Sequence, residues 1–363
     1  MNIPLVDLRA QYATIKPEVD AAIQRVLDNT SFILGDEVKT FEASFAAHIG
    51  SSGAVGVASG TAAIQLALQA CGVGPGDEVI TSAHTFIATA EPIVTLGATP
   101  VFVDIDPATF NLDPDLVEEA ITPRTKVILP VHLYGRPAPM GDLMAIAQRR
   151  GLVVIEDAAQ AHGACWHAQA VGTIGAMACF SFYPGKNLGA YGDAGAVTSN
   201  DPDLLARVRK LRDHGRTSKY EHDEVGYGER IDALQAAILG AKLPHLTAWT
   251  DARRRHARRY TELLTRADVT PPAEDPQDEH VFHLYVIRSG RRDALLAALQ
   301  KAGVGAGIHY PIPLHRQPAF RDLSPVSLPH TETAATEILS LPLYPELRAE
   351  QIDYVADQVR QFA

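Results

Sequence analysis

Apolar positions recur along this chain at two spacings. Within residues 37–49, Val38, Phe41, Phe45, Ala46 and Ile49 fall at helical intervals, so one helix is predicted there. Short apolar runs at 54–58, 78–82, 100–104, 126–131 and 152–157 read as strands. Helical patterns separate them at 61–71, 87–96, 115–121 and 140–150. Strands alternating with helices predict right-handed βαβ units around a mostly parallel, buried sheet.

The rhythm changes after Asp157. Strands are expected at 177–182 and 194–199, joined by a Gly-rich loop rather than a helix. Helices follow at 201–213, 231–242 and 249–265. The last carries Arg253, Arg254, Arg255, Arg258 and Arg259, read as a solvated helix face. Residues 266–280 are polar and Pro-rich, hence a loop. A strand at 283–288, a helix at 291–301, a short strand at 304–308 and helices at 332–339 and 350–361 complete the chain. The expected fold is α/β. A large domain, residues 1–245 with an N-terminal arm and helix, carries a mostly parallel sheet flanked by helices. A smaller α+β domain spans 246–363.

Composition narrows the class. Forty-six per cent of the 363 residues are hydrophobic, enough for a large core. Basic residues number 32 against 43 acidic, a net charge of −11, which argues against nucleic acid or an anionic membrane as partner. The three cysteines, Cys71, Cys165 and Cys179, form no C-x-x-C pattern, and a reducing, cytoplasmic compartment is expected. Met1-Asn2-Ile3-Pro4 opens no signal-peptide pattern, and no apolar stretch is long enough to span a membrane.

Three short stretches then carry chemistry. Ser59-Gly60-Thr61-Ala62 lies between a strand and a helix, where free N–H groups and the helix dipole favour a phosphate. The same residues also suit an ordinary helix cap. Asp157, in Glu156-Asp157-Ala158-Ala159-Gln160, ends a hydrophobic strand, where α/β sheets place ligands. It suits a metal, a ribose or a protonated ring nitrogen. Gln160 and His162 make a poor metal set, so no metal is expected. Lys186 sits between glycines after an apolar strand, either a solvent lysine on a turn or a cleft lysine able to form a Schiff base. A phosphate cradle, an acid at a strand end and a lysine together describe pyridoxal 5′-phosphate (PLP). Phe86, just past a strand end, is placed either to stack on its ring or to fill the core.

With these motifs in place, the chain resembles the DegT/StrS-type sugar aminotransferases, fold-type I PLP enzymes, over essentially its full length. The matching stretches are Phe32-Ile33-Leu34-Gly35, Ser59-Gly60-Thr61-Ala62, His84-Thr85-Phe86-Ile87-Ala88-Thr89, Glu156-Asp157-Ala158-Ala159-Gln160, Pro184-Gly185-Lys186-Asn187-Leu188-Gly189, Lys219-Tyr220-Glu221-His222, Arg230-Ile231-Asp232-Ala233-Leu234-Gln235-Ala236-Ala237 and His309-Tyr310-Pro311-Ile312-Pro313-Leu314-His315. The resemblance implies Lys186 as Schiff-base lysine and proton shuttle, and Asp157 as partner of the pyridinium nitrogen. It implies Gln160 against the ring hydroxyl side and Phe86 on the ring. Gly60, Thr61, Ala62 and Ser181 surround the phosphate. It further implies a homodimer with shared active sites, in which a partner segment matching residues 225–230, with Gly228 and Arg230, approaches the cofactor. Gly228 departs from the Asn that the family commonly has there. Substrate-facing residues implied are Tyr183, His309, Tyr310 and His315, with His84 and Lys219 as further candidates.

The activity implied is ping-pong amino transfer from L-glutamate to a nucleotide-linked keto sugar. The patterns around His84 and Lys219 favour 3-keto over 4-keto members. Related dehydratases carry His in place of the lysine; Lys186 favours transamination. Two other readings are a PLP-binding regulatory protein without turnover and another fold-type I reaction. A nucleotide-binding dehydrogenase fails for want of a G-x-G-x-x-G opening the first βα unit.

Overall fold

The computed structural model describes all residues except 274–277, 321, 322, 324, 325 and 363. Two helices open the chain, α1 (Leu8–Asn29) and α2 (Asp36–Ile49). The central sheet is then laid down by β1 (Gly53–Val57), α3 (Gly60–Ala70), β2 (Glu78–Ser82), α4 (Glu91–Thr95), β3 (Thr99–Val103), α5 (Pro114–Glu119), β4 (Thr125–Leu129), α6 (Met140–Arg150) and β5 (Val153–Asp157). A small hairpin, β6 (Cys165–Trp166) and β7 (Gln169–Ala170), precedes β8 (Met177–Ser181) and β9 (Gly195–Ser199). Helices α7 (Pro202–Leu211), α8 (Ala233–Lys242) and α9 (Leu246–Leu264) follow. The rest comprises β10 (Asp278–Glu279), β11 (Tyr285–Arg288), α10 (Arg292–Lys301), α11 (Pro329–Glu337), β12 (Ile338–Leu341) and α12 (Ala349–Phe362).

The seven-stranded sheet has the order β1-β9-β8-β5-β4-β2-β3. Strands β2, β3, β4, β5 and β8 pair in parallel, and β9 runs antiparallel to both β8 and β1. The α/β architecture follows from the alternation of apolar runs and amphipathic helices. The one reversed strand follows from its connection. No helix separates β8 from β9, so the chain turns back beside itself, pairing Ser181 with Gly195. That turn carries Lys186 to the C-terminal edge of the parallel strands. Apolar side chains fill both faces of the sheet: Leu66, Val79, Ile155 and Val208 on one, Phe41, Phe45, Phe180 and Phe182 on the other.

A second core joins α9, α10 and α12 to the β11–β12 pair through Tyr260, Tyr285, Leu299, Leu339 and Val355. Ile3 is buried in this core. Its N–H donates to the Gly303 carbonyl and its own carbonyl accepts from Gly305. The first residues of the arm therefore pack in this second core.

Other expectations need local correction. The helix expected at 87–96 is split into a single 3-10 turn, Ile87–Thr89, and the short α4. Pro92, which has no N–H, stands in the first turn of a new helix rather than inside a continuous one. The strand expected at 304–308 reduces to isolated bridges, Ile3 with Val304 and Gly307 with Ser340. Glycines at 303, 305 and 307 weaken it. The helix expected at 332–339 ends at Glu337, because Ile338, Leu339 and Leu341 pair with β11. Within the loop expected at 266–280, β10 pairs with β6; residues 274–277 lie outside the described set. Arg253 is 3 % exposed and is not part of a solvated face. All three cysteines are free, and no described helix is long and apolar enough to cross a membrane.

Candidate active site

A cleft of about 610 Å³ opens at the C-terminal ends of the parallel strands. Each main wall comes from a different connection. The β1–α3 turn supplies Ser59, Gly60 and Thr61; the turn after β2 supplies Thr85, Phe86 and Thr89. The end of β5 supplies Asp157 and Gln160, and the β8–β9 connection supplies Ser181, Tyr183, Lys186 and Asp193. From the C-terminal part of the chain come Arg253, His283, Leu284, His309, Tyr310 and Leu343, and from the N-terminal arm Leu5 and Val6.

The cradle at α3 is built by Ser59. Its Oγ accepts from Ala62 N at 3.1 Å, and its carbonyl accepts from Ala63 N. The N–H groups of Gly60 and Thr61 precede the first intrahelical bond and face outward with the positive end of the dipole. Gly60 is required by proximity: a Cβ there would stand 2.6 Å from Ser181 Cβ. Ala62 is buried behind the cradle.

Asp157 is buried and lines the cleft floor. Thr89 Oγ1 donates to its Oδ2 at 2.8 Å, and Ala159 N donates to its Oδ1 at 3.2 Å. Burial raises its pKa, and these two donors with Lys186 and His132 hold it down. A buried carboxylate of this kind fits a cationic ring nitrogen. Gln160 links Tyr134 to Tyr310. Its Oε1 accepts from Tyr134 N at 2.6 Å, and its Nε2 donates to Tyr310 Oη at 3.3 Å. Phe86 stands at the mouth, 52 % exposed, with its ring 5.6 Å from that of Tyr310.

Lys186 is half-buried, and its amine has no ion pair among the described residues. Burial lowers its pKa to about 8, with Asp157 opposing. Its loop is held on three sides: Lys186 N donates to Tyr183 O, Asn187 Nδ2 to Val281 O at 3.0 Å, and Lys242 Nζ to Gly189 O at 2.5 Å. A helix-start N–H cradle, an aromatic wall, a buried acid and an amine of lowered pKa with no ion pair among the described residues thus meet in one cleft. Among the described residues no group of His, Cys, Asp and Glu is arranged to hold a metal.

The structure brings together Gly60, Thr61, Phe86, Asp157, Gln160, Ser181, Tyr183, Lys186, His309 and Tyr310. Other candidates lie elsewhere in this chain. His84 is buried behind the cleft, its Nε2 2.9 Å from Tyr134 Oη, and burial lowers its pKa to about 4. Tyr134 Oη in turn donates to the His309 carbonyl. His315 is buried against Glu332 at 2.9 Å. Lys219 is exposed over the Tyr220 ring. Gly228 is exposed, and Arg230 pairs with Asp213 at 2.5 Å. Sequence reasoning missed Thr89, His283 and Arg253. For Arg253 a signal existed: Leu246, Trp249, Thr250, Arg253, Ala257, Tyr260 and Leu264 trace one helical face, all buried.

Fold and site together define a PLP-dependent aminotransferase. Residues 13–360 match the DegT/DnrJ/EryC1/StrS aminotransferase family, and the chain belongs to it. The chain is 51% identical to a "Pleiotropic regulatory protein" of Geobacillus stearothermophilus, covering 100% of this chain and 99% of that one. It is 48% identical to the "UDP-N-acetyl-3-dehydro-alpha-D-glucosamine 3-aminotranferase" of Acidithiobacillus ferrooxidans, covering 99% and 97%. In structure it is similar to the S. venezuelae protein DesV, solved in complex with a ketimine intermediate. That match has a TM-score of 0.97 and 46% identity, covering 99% of this chain and 98% of that one.

Proposed function

We propose that this protein moves an amino group from L-glutamate to the 3-keto position of a nucleotide-linked sugar, in the formation of an amino sugar. The observation that carries the reading is the meeting of Lys186, Asp157 and the α3 cradle in one cleft. The acceptor follows from the relatives, one of which is named a 3-aminotransferase of a UDP-linked 3-dehydro sugar. A functional homodimer in the cytoplasm is part of the same proposal.

Residues have distinct tasks. The Gly60 and Thr61 N–H groups with Ser181 hold the cofactor phosphate, and the Asp157 carboxylate keeps the ring nitrogen protonated. The cofactor, when bound, supplies the electron sink that makes the donor's α-carbon acidic. Lys186 Nζ, as free base, takes that α-proton and delivers it within the site. Phe86 covers one ring face. Gln160, Tyr183, His309 and Tyr310 face the remaining cleft, where the sugar is received.

A purely regulatory role is the competing reading, and one relative carries such a name. The intact Lys186–Asp157 pair supports turnover. The test is to treat the protein with PLP and L-glutamate, desalt it, and offer 3-keto and 4-keto sugar nucleotides separately. Mass spectrometry should find an amino sugar from the 3-keto substrate. Amination of the 4-keto substrate alone would overturn the position assigned, and no amination of either would favour the regulatory reading.

A further inference from the structure

Lys242 is the last residue of α8 and is 0 % exposed. Its Nζ donates to the Gly189 carbonyl at 2.5 Å. The Tyr191 and Trp249 rings stand 4.9 Å and 6.0 Å from that nitrogen, both within reach of a cation–π contact. No carboxylate forms an ion pair with it among the described residues. Burial lowers its pKa to about 8, and Glu346 opposes that shift. A cation without exposure is costly to desolvate, and an apolar side chain of similar length would fill the space without that cost. What the ammonium does here is hold one carbonyl, on the loop that carries Lys186.

Gly189 lies on the return limb of that loop. The loop is closed at its base, where Ala190 N donates to Phe182 O and Phe182 N to Ala194 O, both at 2.7 Å. Its two limbs lie against each other: a Cβ on Gly189 would stand 2.3 Å from Pro184 O and 3.0 Å from Tyr183 O. A shift of Gly189 therefore moves Tyr183 and Pro184, and Lys186 N is bonded to Tyr183 O at 2.8 Å. The same helix holds the return limb a second time. Gln235 Oε1 accepts from Tyr191 N at 2.8 Å, and Gln235 stands about two turns before Lys242 on the same face of α8. Neither Gln235 nor Lys242 lines the cleft. Between them they fix a carbonyl and an N–H of the limb that follows Lys186.

We propose that Lys242, with Gln235, positions the Lys186 amine. By fixing the return limb against α8, it holds Lys186 Nζ where it meets the cofactor aldehyde and, later, the donor's α-proton. Lys242 touches neither substrate nor cofactor, so it is a positioning residue. This deepens the function proposed above and rests on the task given there to Lys186.

The test compares wild type, Lys242→Met and Gln235→Leu. Three readouts are taken: the rate at which cofactor-free protein gains its visible band after PLP is added, the affinity for pyridoxamine 5′-phosphate, and bleaching of the PLP-loaded band by L-glutamate. Pyridoxamine 5′-phosphate has no aldehyde for Lys186 to attack, so it reports the rest of the site. In Lys242→Met the band should grow about tenfold more slowly or worse, as for a reacting group held out of place. The maximal bleaching rate should fall alike, while pyridoxamine 5′-phosphate affinity and the half-saturating glutamate concentration stay within about twofold. Gln235→Leu loses one neutral hydrogen bond at a half-buried residue, and its band should grow about threefold more slowly. Unchanged band growth in Lys242→Met would overturn the proposal; should that variant fail to fold, unchanged growth in Gln235→Leu would do so. An equal loss of pyridoxamine 5′-phosphate affinity would also overturn it and leave Lys242 a lysine of the core. A wild type that gains the band but transfers nothing from glutamate would instead sink the function proposed above, while band growth still decides the role of Lys242.

Discussion

Thr89 Oγ1 donates to Asp157 Oδ2 at 2.8 Å, and Thr85 Oγ1 lies 2.9 Å from Thr89 Oγ1. A carboxylate buried at a strand end thus receives a hydroxyl donor from the neighbouring connection, which opposes the burial that raises its pKa. Replacing Thr89 by Val removes that donor with little change of shape. Loss of one hydrogen bond costs about 1 kcal/mol, or about fivefold. Thr89→Val should bind PLP about fivefold more weakly. Because the donor lowers the Asp157 pKa, its loss raises that pKa further, and the acid limb of the activity profile should move to higher pH. Fluorescence titration and a pH profile check both; a profile unmoved by the substitution would contradict the role.

At Gly60 the limit is steric. A Cβ would stand 2.6 Å from Ser181 Cβ and 3.2 Å from its Cα, and the latter belongs to the sheet and cannot swing aside. Gly60→Ala should push α3 from β8 and spread the phosphate cradle. Overpacking of this sort costs roughly 1–3 kcal/mol. PLP affinity is expected to fall by about tenfold or more at the upper half of that range. Equilibrium dialysis measures it, and wild-type affinity would show that the cradle does not hold the phosphate.

The Lys186 amine gives a pH signature. Burial lowers its pKa from 10.5 to about 8, so the free base that attacks an aldehyde appears well below the usual lysine range. Capture of PLP by cofactor-free protein should accelerate as pH rises and level off above about 8. In stability the sign is also fixed. Between about 8 and 10.5 the unfolded lysine holds a proton that the folded one has lost, so this group makes the cofactor-free protein more stable as pH rises there. Lys186→Met should lack that gain in a chemical-denaturation series. A capture midpoint near 10.5 would contradict the burial argument.

Much of this was legible because the site hangs on chain punctuation. An apolar strand ending in Asp157, a Gly-bounded Lys186 and a Ser-Gly-Thr turn before a helix are local patterns, and the fold brings them together by placing strand ends on one edge. What escaped was non-local. Thr89 matters through Asp157, which is distant in sequence, and Arg253 hid in an arginine-rich run although its helical phase is that of Trp249 and Tyr260. His84 looked like a substrate ligand. The structure puts Tyr134 between it and the His309 carbonyl, so it supports that loop from behind. Short strands and helix ends misled wherever pairing decided the outcome, as at Ile338, where the partner strand β11 overrides helical spacing.

Assembly is a separate expectation. Val225 is 87 % exposed and Tyr220 81 %, on the segment preceding Gly228 and Arg230. If that segment enters a second subunit's cleft, light scattering should give twice the monomer mass. Val225→Glu should lower both the dimer fraction and cofactor affinity. A fully active monomer would contradict shared sites.

The central claim is that Lys186 and Asp157 make this cleft a site of amino transfer. It is tested most directly by recording the visible spectrum of PLP-loaded protein before and after L-glutamate, while measuring 2-oxoglutarate, in wild type and Lys186→Ala. The account predicts a visible band in wild type that bleaches as one equivalent of 2-oxoglutarate appears, and no such conversion in Lys186→Ala. A wild-type band that glutamate leaves unchanged, or conversion that survives loss of Lys186, would contradict it.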